Sequence, residues 1–220
     1  MNREQLEHVE QIAMGIVVQA LTDYRQQILT IFQEEIDQPQ DIAEDVTREA
    51  LDALGVSSIG ERLYGKVDYK KAIYAFLPKP QPVALMLDAK SEKINGNRTA
   101  TIQMSQTSMN VRMKRSGKIL DEQGKMDTFI ERNGRKLLVV TIIAKYIYDE
   151  SQQHRELKRI IVACIPNGAL QEDYNPNAED TIWLAGRDAP TLGEDFRVRL
   201  SYKKLMSKAS WRVKEIALKG

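Results

Sequence analysis

Asp88, Ala89 and Lys90 end the apolar run Val83-Ala84-Leu85-Met86-Leu87. In an extended chain, residues two apart face the same side. The Asp88 carboxylate and the Lys90 ammonium are therefore expected to project together where a buried strand leaves the core. A hard cation such as Mg²⁺ takes carboxylate oxygen, water and phosphate oxygen as ligands. Beside it, a lysine can orient an attacking water as the ammonium, or deprotonate it as the amine, and offset charge developing on phosphorus. Asp68, in LYGKVDYKK, stands twenty positions before Asp88 and is the acid best spaced to complete the site from an adjacent strand. In this reading Asp68 and Asp88 hold the metal, joined by the Ala89 carbonyl, and Lys90 acts on the water.

The triplet alone is not specific. Asp68-Tyr69-Lys70 and Glu156-Leu157-Lys158 share its acidic-x-Lys pattern. A salt bridge at a sheet edge, stabilising by about 0–1 kcal/mol, is the competing account of Asp88 and Lys90. Only 88–90 both follows a fully apolar strand and has a suitably spaced acid before it.

Other chemistries find little material. The two histidines, His8 and His154, fall on a helix and in a polar turn, away from any evident nucleophile. Cys164 is the only cysteine and lies in IIVACIP, so it reads as a buried hydrophobe and zinc is not expected. There is neither a GxxxxGK[ST] loop nor a GxGxxG after a strand, so no nucleotide cofactor is expected. No apolar run approaches the ~20 residues that cross a bilayer, and MNREQLEHVEQ lacks a signal-peptide pattern. No membrane partner is expected, and a cytoplasmic setting follows. The net charge of +1 hides an asymmetry: residues 1–61 carry 3 basic and 13 acidic side chains. Arg197 to Lys219 carries eight basic side chains against Glu215 alone. Such clustering suits a polyanion, although a solvated surface gives the same composition.

These residues need a frame. Leu6, Val9, Ala13, Val17, Ala20, Tyr24, Ile28 and Ile31 recur at three and four, predicting a long N-terminal helix as far as the break at Asp37-Gln38-Pro39. A second helix, IAEDVTREALDAL, is expected to end near Gly55. Residues 62–69 and 72–77 read as paired strands with PKPQP as the next connector, and 83–89, 136–150, 157–166 and 195–202 as further strands. Residues 91–135 are polar and rich in turn signals, and are expected to form a long functional loop region. The whole, 1–220, is expected to be one α/β domain, a central mixed β-sheet flanked by helices.

Several short stretches then match a known family in order. The sequence resembles the SfiI type of type II restriction endonuclease, within the wider PD-(D/E)xK nuclease fold. The resemblance is carried by IVVQAL, AEDVTREAL (43–51), DYKK (68–71) and LDAK (87–90). It continues through the segment around Gln103-Met104-Ser105-Gln106, RELK (155–158), YNPN (174–177), LAGRDAP (184–190), Gly193-Glu194, RVRL (197–200) and WRVKE (211–215).

The resemblance implies a restriction-endonuclease-like core and Mg²⁺-dependent cleavage of double-stranded DNA by a homodimer, each subunit cutting one strand. Its catalytic positions fall on Asp68, Asp88 and Lys90. Glu44 aligns with an acid that could serve as an outer-shell ligand, an exposed helix carboxylate being the plainer reading. Arg187, Arg197 and Arg199 match the base-reading positions, and the last two suit bidentate contacts to guanine in the major groove. Arg98, Gln103 and Ser105 are weaker candidates for base or backbone contact. Lys203, Lys204 and Lys208 are better suited to phosphates.

Three departures qualify the match. Val67 stands where the broad motif often has proline, and Arg187 where the named enzyme type has lysine. The chain stops soon after WRVKE, so a dimer is expected and a tetramer is left open. The expected function is cleavage at a palindromic, interrupted, GC-rich site, with a companion DNA methyltransferase in the same system. The rivals are an inactive DNA-binding protein of the same fold, a structure-selective or repair nuclease, and a scaffold protein that binds partners through its long helix.

Overall fold

In the computed structural model, the described residues are 1–54, 62–64, 72–76, 81–94, 98–132, 134–151, 154–185 and 197–218, with backbone alone described for 62–64, 72–76 and 132. The N-terminal segment is two helices, α1 (Arg3–Asp23) and α2 (Arg25–Glu34), rather than the one long helix expected. Asn2 and Gln5 cap α1 reciprocally: the Asn2 Oδ1 accepts from the Gln5 N–H at 2.9 Å and the Gln5 Oε1 from the Asn2 N–H at 3.1 Å. The break falls at Tyr24 (φ −88°, ψ 2°). There the Thr22 hydroxyl donates back to the Val18 carbonyl at 2.7 Å, a bond that bends helices, and the Arg25 guanidinium draws off the Thr22 carbonyl at 2.8 Å. Apolar periodicity runs through such a kink unchanged, which is why the pattern predicted one helix. The next helix, α3 (Pro39–Ala53), begins with a proline in its first turn, where the missing N–H is not needed.

The strands are β1 (Arg62–Tyr64), β2 (Ala72–Phe76), β3 (Val83–Lys93), β4 (Thr99–Ile102), β5 (Val111–Arg115), β6 (Lys118–Glu122), β7 (Phe129–Arg132) and β8 (Arg135–Glu150). They continue with β9 (Arg155–Ile165), β10 (Trp183–Ala185), β11 (Val198–Ser201) and β12 (Val213–Ile216), with short helices α4 (Gln171–Tyr174) and α5 (Tyr202–Lys208). The main sheet runs β1-β2-β3-β8-β9-β12, and β7 lies beside the start of β8. It is mixed, as expected: β3 and β8 are parallel from Val83↔Leu138 to Lys93↔Tyr148, and the other pairs are antiparallel.

Parallel neighbours need a crossover, and here it is made of strands. Residues 91–135 hold β4 to β7, not the loop region predicted. The segment was misread because its strands are short and alternate. Val111 and Met113 point inward while Arg112 and Lys114 do not, which leaves a mean composition like that of a loop. β4 joins β10 and β11 in a second sheet, ordered β10-β11-β4, and β5 and β6 form a hairpin.

The helices pack on the sheet through α3 on β3, α2 on β9, and α1 on α3 and β9. β8 is buried without interruption from Leu137 to Tyr148. Tyr146 stacks on Phe32 with ring centroids 5.4 Å apart. Its hydroxyl lies 2.6 Å from the Thr47 Oγ1, which itself donates to the Ala43 carbonyl. Glu10 and Arg212, both sealed from water, pair at 2.6 Å and tie α1 to the C-terminal segment. Glu10 also accepts from the Asn167 N–H at 2.8 Å. Arg212 lies between the rings of Tyr174 and Trp211. A buried charge is tolerated only when so enclosed by partners. Among the described residues, no helix is long and apolar enough to cross a membrane.

Candidate active site

β3 delivers its chemistry by period. Val83, Leu85 and Leu87 are buried on one face while Asp88, Lys90 and Glu92 share the other. The Lys90 Nζ stands 3.0 Å from the Asp88 Oδ2, and the Asp88 side chain is nearly closed off, at 9% exposure. The predicted pair is thus formed at the end of the apolar strand. Asp68 lies outside the described residues, as does Arg187 with the neighbouring Gly193-Glu194. Among the described residues no three His, Cys, Asp or Glu side chains converge as a metal site. Of the rival triplets, Glu156 and Lys158 make an ion pair at the start of β9 that is half open to solvent. Both His8 and His154 are exposed, as expected. Cys164 is fully buried, and burial pushes its thiol far up.

The first turns of α3 close on this strand end. One Gln40 amide nitrogen donates to the Ala89 carbonyl and to the Glu44 Oε1, each at 2.8 Å. The Gln40 Oε1 accepts from the Ser91 N–H at 3.0 Å. Glu44 is half-buried, and it and the Ala89 carbonyl lie no further apart than two hydrogen bonds. The oxygens at this strand end are the Asp88 carboxylate and, joined through Gln40, the Ala89 carbonyl and the Glu44 carboxylate. Such donors fit a hard cation and not a soft one.

Beyond Lys90 lies a cluster the sequence reading did not single out. Lys145, on β8 beside Lys90, is only 2% exposed. Its Nζ donates to the Thr99 carbonyl at 2.6 Å and ion-pairs with the Glu92 Oε2. The Tyr202 hydroxyl is buried with no hydrogen-bond partner among the described residues. Burial first, then the Glu92 and Asp88 carboxylates, hold it well above its usual value, so it stays a protonated donor. Both signals were in the chain. A lone lysine interrupts LLVVTIIAKYIY, and Glu92 repeats the face of Asp88 four residues on.

Thr99 opens β4, and β4 carries the second sheet, pairing Thr99↔Ser201 and Thr101↔Arg199. Val198 and Leu200 are fully buried, so Arg199, and Arg197 just before the strand, face away from the core. Arg199 makes no hydrogen bond or ion pair among the described residues. Arg98 is exposed, and its carbonyl accepts from the Tyr202 N–H at 3.2 Å. The Gln103 side chain is spent capping the short turn Met104–Gln106, and Ser105 is buried at 4%. Neither stands ready at a surface. Lys208 is held by Asp180 at 2.6 Å and by the Asp173 carbonyl, an internal tie and not an open cation, whereas Lys203 is exposed.

Comparison with known proteins bears on this arrangement. The family described as "Type II restriction enzyme SfiI" matches residues 7–216. The type II restriction enzyme SfiI of Streptomyces fimbriatus is 30% identical over 231 residues, an alignment spanning 97% of this chain and 84% of that one. The crystal structure of tetrameric restriction endonuclease SfiI bound to cognate DNA superposes with a TM-score of 0.84 at 27% identity, covering 98% of this chain and 85% of the other. Restriction endonuclease BglI bound to its DNA recognition sequence superposes with a TM-score of 0.76. The BglI match has 16% identity and covers 98% and 91% of the two chains, a likeness of fold alone.

Proposed function

The chain belongs to the SfiI family of type II restriction enzymes, site-specific deoxyribonucleases that bind DNA; from that premise we propose that it hydrolyses DNA phosphodiesters with Mg²⁺ at the end of β3. The observation that carries the assignment is the Asp88–Lys90 pair at 3.0 Å on one strand face, beside the Ala89 carbonyl and Glu44. Asp68, Asp88 and the Ala89 carbonyl would hold the metal, with Glu44 outside them. When bound, the ion supplies charge neutralisation at the phosphate and a more acidic water.

The chain's own groups do the rest. Lys90 orients the attacking water as an ammonium or, once it has given up its own proton to solvent, takes the water's proton as an amine. The ammonium present in either case offsets negative charge growing on the phosphorus oxygens. Asp88 holds the Lys90 ammonium over that position. Arg199 and Arg197, with Arg187, read guanine edges in the major groove, and exposed Lys203 lies on the same basic segment for phosphate contact. Arg98 adds a contact beside β4. Gln103 and Ser105 are retained only as groups that could reach DNA if their turn opens.

The proposed site is an interrupted, GC-rich palindrome, cut by two copies about a two-fold axis. The SfiI crystal structure is tetrameric, so a tetramer made of two such dimers is the alternative assembly. The proposed setting is the cytoplasm, where a companion DNA methyltransferase would protect the host's own sites.

Asp88→Asn should abolish cleavage while sparing metal-free DNA binding. Digestion of a DNA of known sequence, with and without Mg²⁺, checks both points. Discrete bands with defined ends are expected from the native protein. Normal cutting by the variant would refute the site, and smears or junction-specific cutting would favour the repair-nuclease reading.

A further inference from the structure

The sequence motifs leave Gln40 unmentioned, yet its amide makes several hydrogen bonds at the strand end. Its two N–H bonds go to the Ala89 carbonyl and the Glu44 Oε1, and its oxygen takes the Ser91 N–H. The amide orientation is therefore determined. A flipped amide would aim an oxygen at the Ala89 carbonyl and an N–H at the Ser91 N–H. Ala89 and Ser91 present their backbone groups on the edge of β3 away from β8. The β2 register on that edge runs from Phe76↔Val83 to Ile73↔Met86. Gln40 thus docks on β3 as a peptide group of a neighbouring strand would, accepting from one residue and donating to the residue two before it.

We infer that Gln40 is a positioning residue that fixes the Ala89 carbonyl and Glu44 as a preformed pair of oxygens for the divalent cation. The inference rests on the metal site proposed above. Each bond leaves its acceptor capacity to spare. The Ala89 carbonyl keeps a second lone pair, and Glu44 keeps its other oxygen for a metal-bound water. Groups that orient ligands in this way typically change metal affinity 10–100-fold when lost. Gln40 also sits in the first turn of α3, so the helix packed on β3 sets where the carbonyl points.

The test uses Mn²⁺ alone, titrated into the full chain, with free ion followed by electron paramagnetic resonance. Gln40→Met keeps the side-chain length and removes all of these bonds. Gln40→Asn keeps polarity but is one methylene too short to reach both Ala89 and Ser91, and serves should the methionine variant fail to fold. Either folded variant is expected to bind Mn²⁺ about tenfold or more weakly, with metal-free DNA affinity unchanged. Wild-type Mn²⁺ affinity in a folded variant overturns the role. Asp88→Asn runs alongside. If it too binds Mn²⁺ normally, the error lies in the metal site itself and not in Gln40 alone.

Discussion

The pair Glu92–Lys145 makes an asymmetric prediction that exposure alone would get backwards. Glu92 is 42% exposed in its side chain and Lys145 is 2% exposed. Removing Lys145 as Lys145→Met keeps the volume of the stem, so no cavity forms. Glu92 is then free to rehydrate, and the main loss is the charge-assisted bond to the Thr99 carbonyl. That loss should cost about 1–2 kcal/mol. Removing Glu92 as Glu92→Ala instead leaves the sealed Lys145 ammonium with one carbonyl for company. Breaking a buried pair from the recoverable side costs roughly 3–5 kcal/mol, and the partial exposure of Glu92 places this case near about 3. The more exposed residue should therefore be the more costly to lose. The double variant should recover towards Lys145→Met, since the stranded charge is gone. Urea unfolding of the four proteins measures this as a double-mutant cycle. Glu92→Ala no worse than Lys145→Met, or strictly additive effects, would refute the reasoning.

Two further outcomes follow from single contacts. Arg199→Ala should weaken binding by about 1–3 kcal/mol for each guanine contacted and relax discrimination at that position. Competition binding against single-base variants of the site reads this, and a uniform loss over all sequences would mark a phosphate contact instead. Gly168→Ala should destabilise the fold, because a Cβ there would lie 2.2 Å from the Ser108 carbonyl oxygen, a backbone atom with little room to yield. Overpacking of this kind costs roughly 1–3 kcal/mol, and for a chain of this size each kcal/mol lowers the melting temperature by about 2–4 °C. A melting temperature equal to that of the native protein would show that the Asn167–Gly168 turn moves freely.

The sequence revealed most where one residue's chemistry reports its own surroundings. Long β-branched runs announce β3, β8 and β9 because burial on both faces demands apolar residues throughout. Asp88 and Lys90 were legible because a period of two is strict. What failed was anything that hydrophobic periodicity does not report, whether a local side-chain contact or a partner distant in the chain. The kink at Tyr24 depends on a hydroxyl finding a carbonyl, not on periodicity. Strands β4 to β7 hid in a polar tract because they are short and few of their residues are buried. Gln40 was invisible because nothing local distinguishes a glutamine that clasps a strand 49 positions away from one in water.

The parallel β3–β8 pair explains why the chemistry and the candidate base-reading surface occupy neighbouring ground. Register places Lys90 beside Lys145. The two ammonium groups avoid each other by turning to different acids, Lys90 to Asp88 and Lys145 to Glu92. Three residues of β3 and one of β8 thus hold two ion pairs side by side, which keeps two like charges apart where a low dielectric would magnify their repulsion. Lys145 has a donor left over, and it goes to Thr99 at the root of β4. From Thr99 the ladder runs to Ser201, and two residues along to Arg199. The crossover that a parallel pair obliges the chain to make is thereby pinned at its first strand to the face that carries Asp88. A helix in that crossover would have covered the sheet. Strands, tied down by one buried ammonium, instead extend it into a second sheet whose outward face bears Arg199.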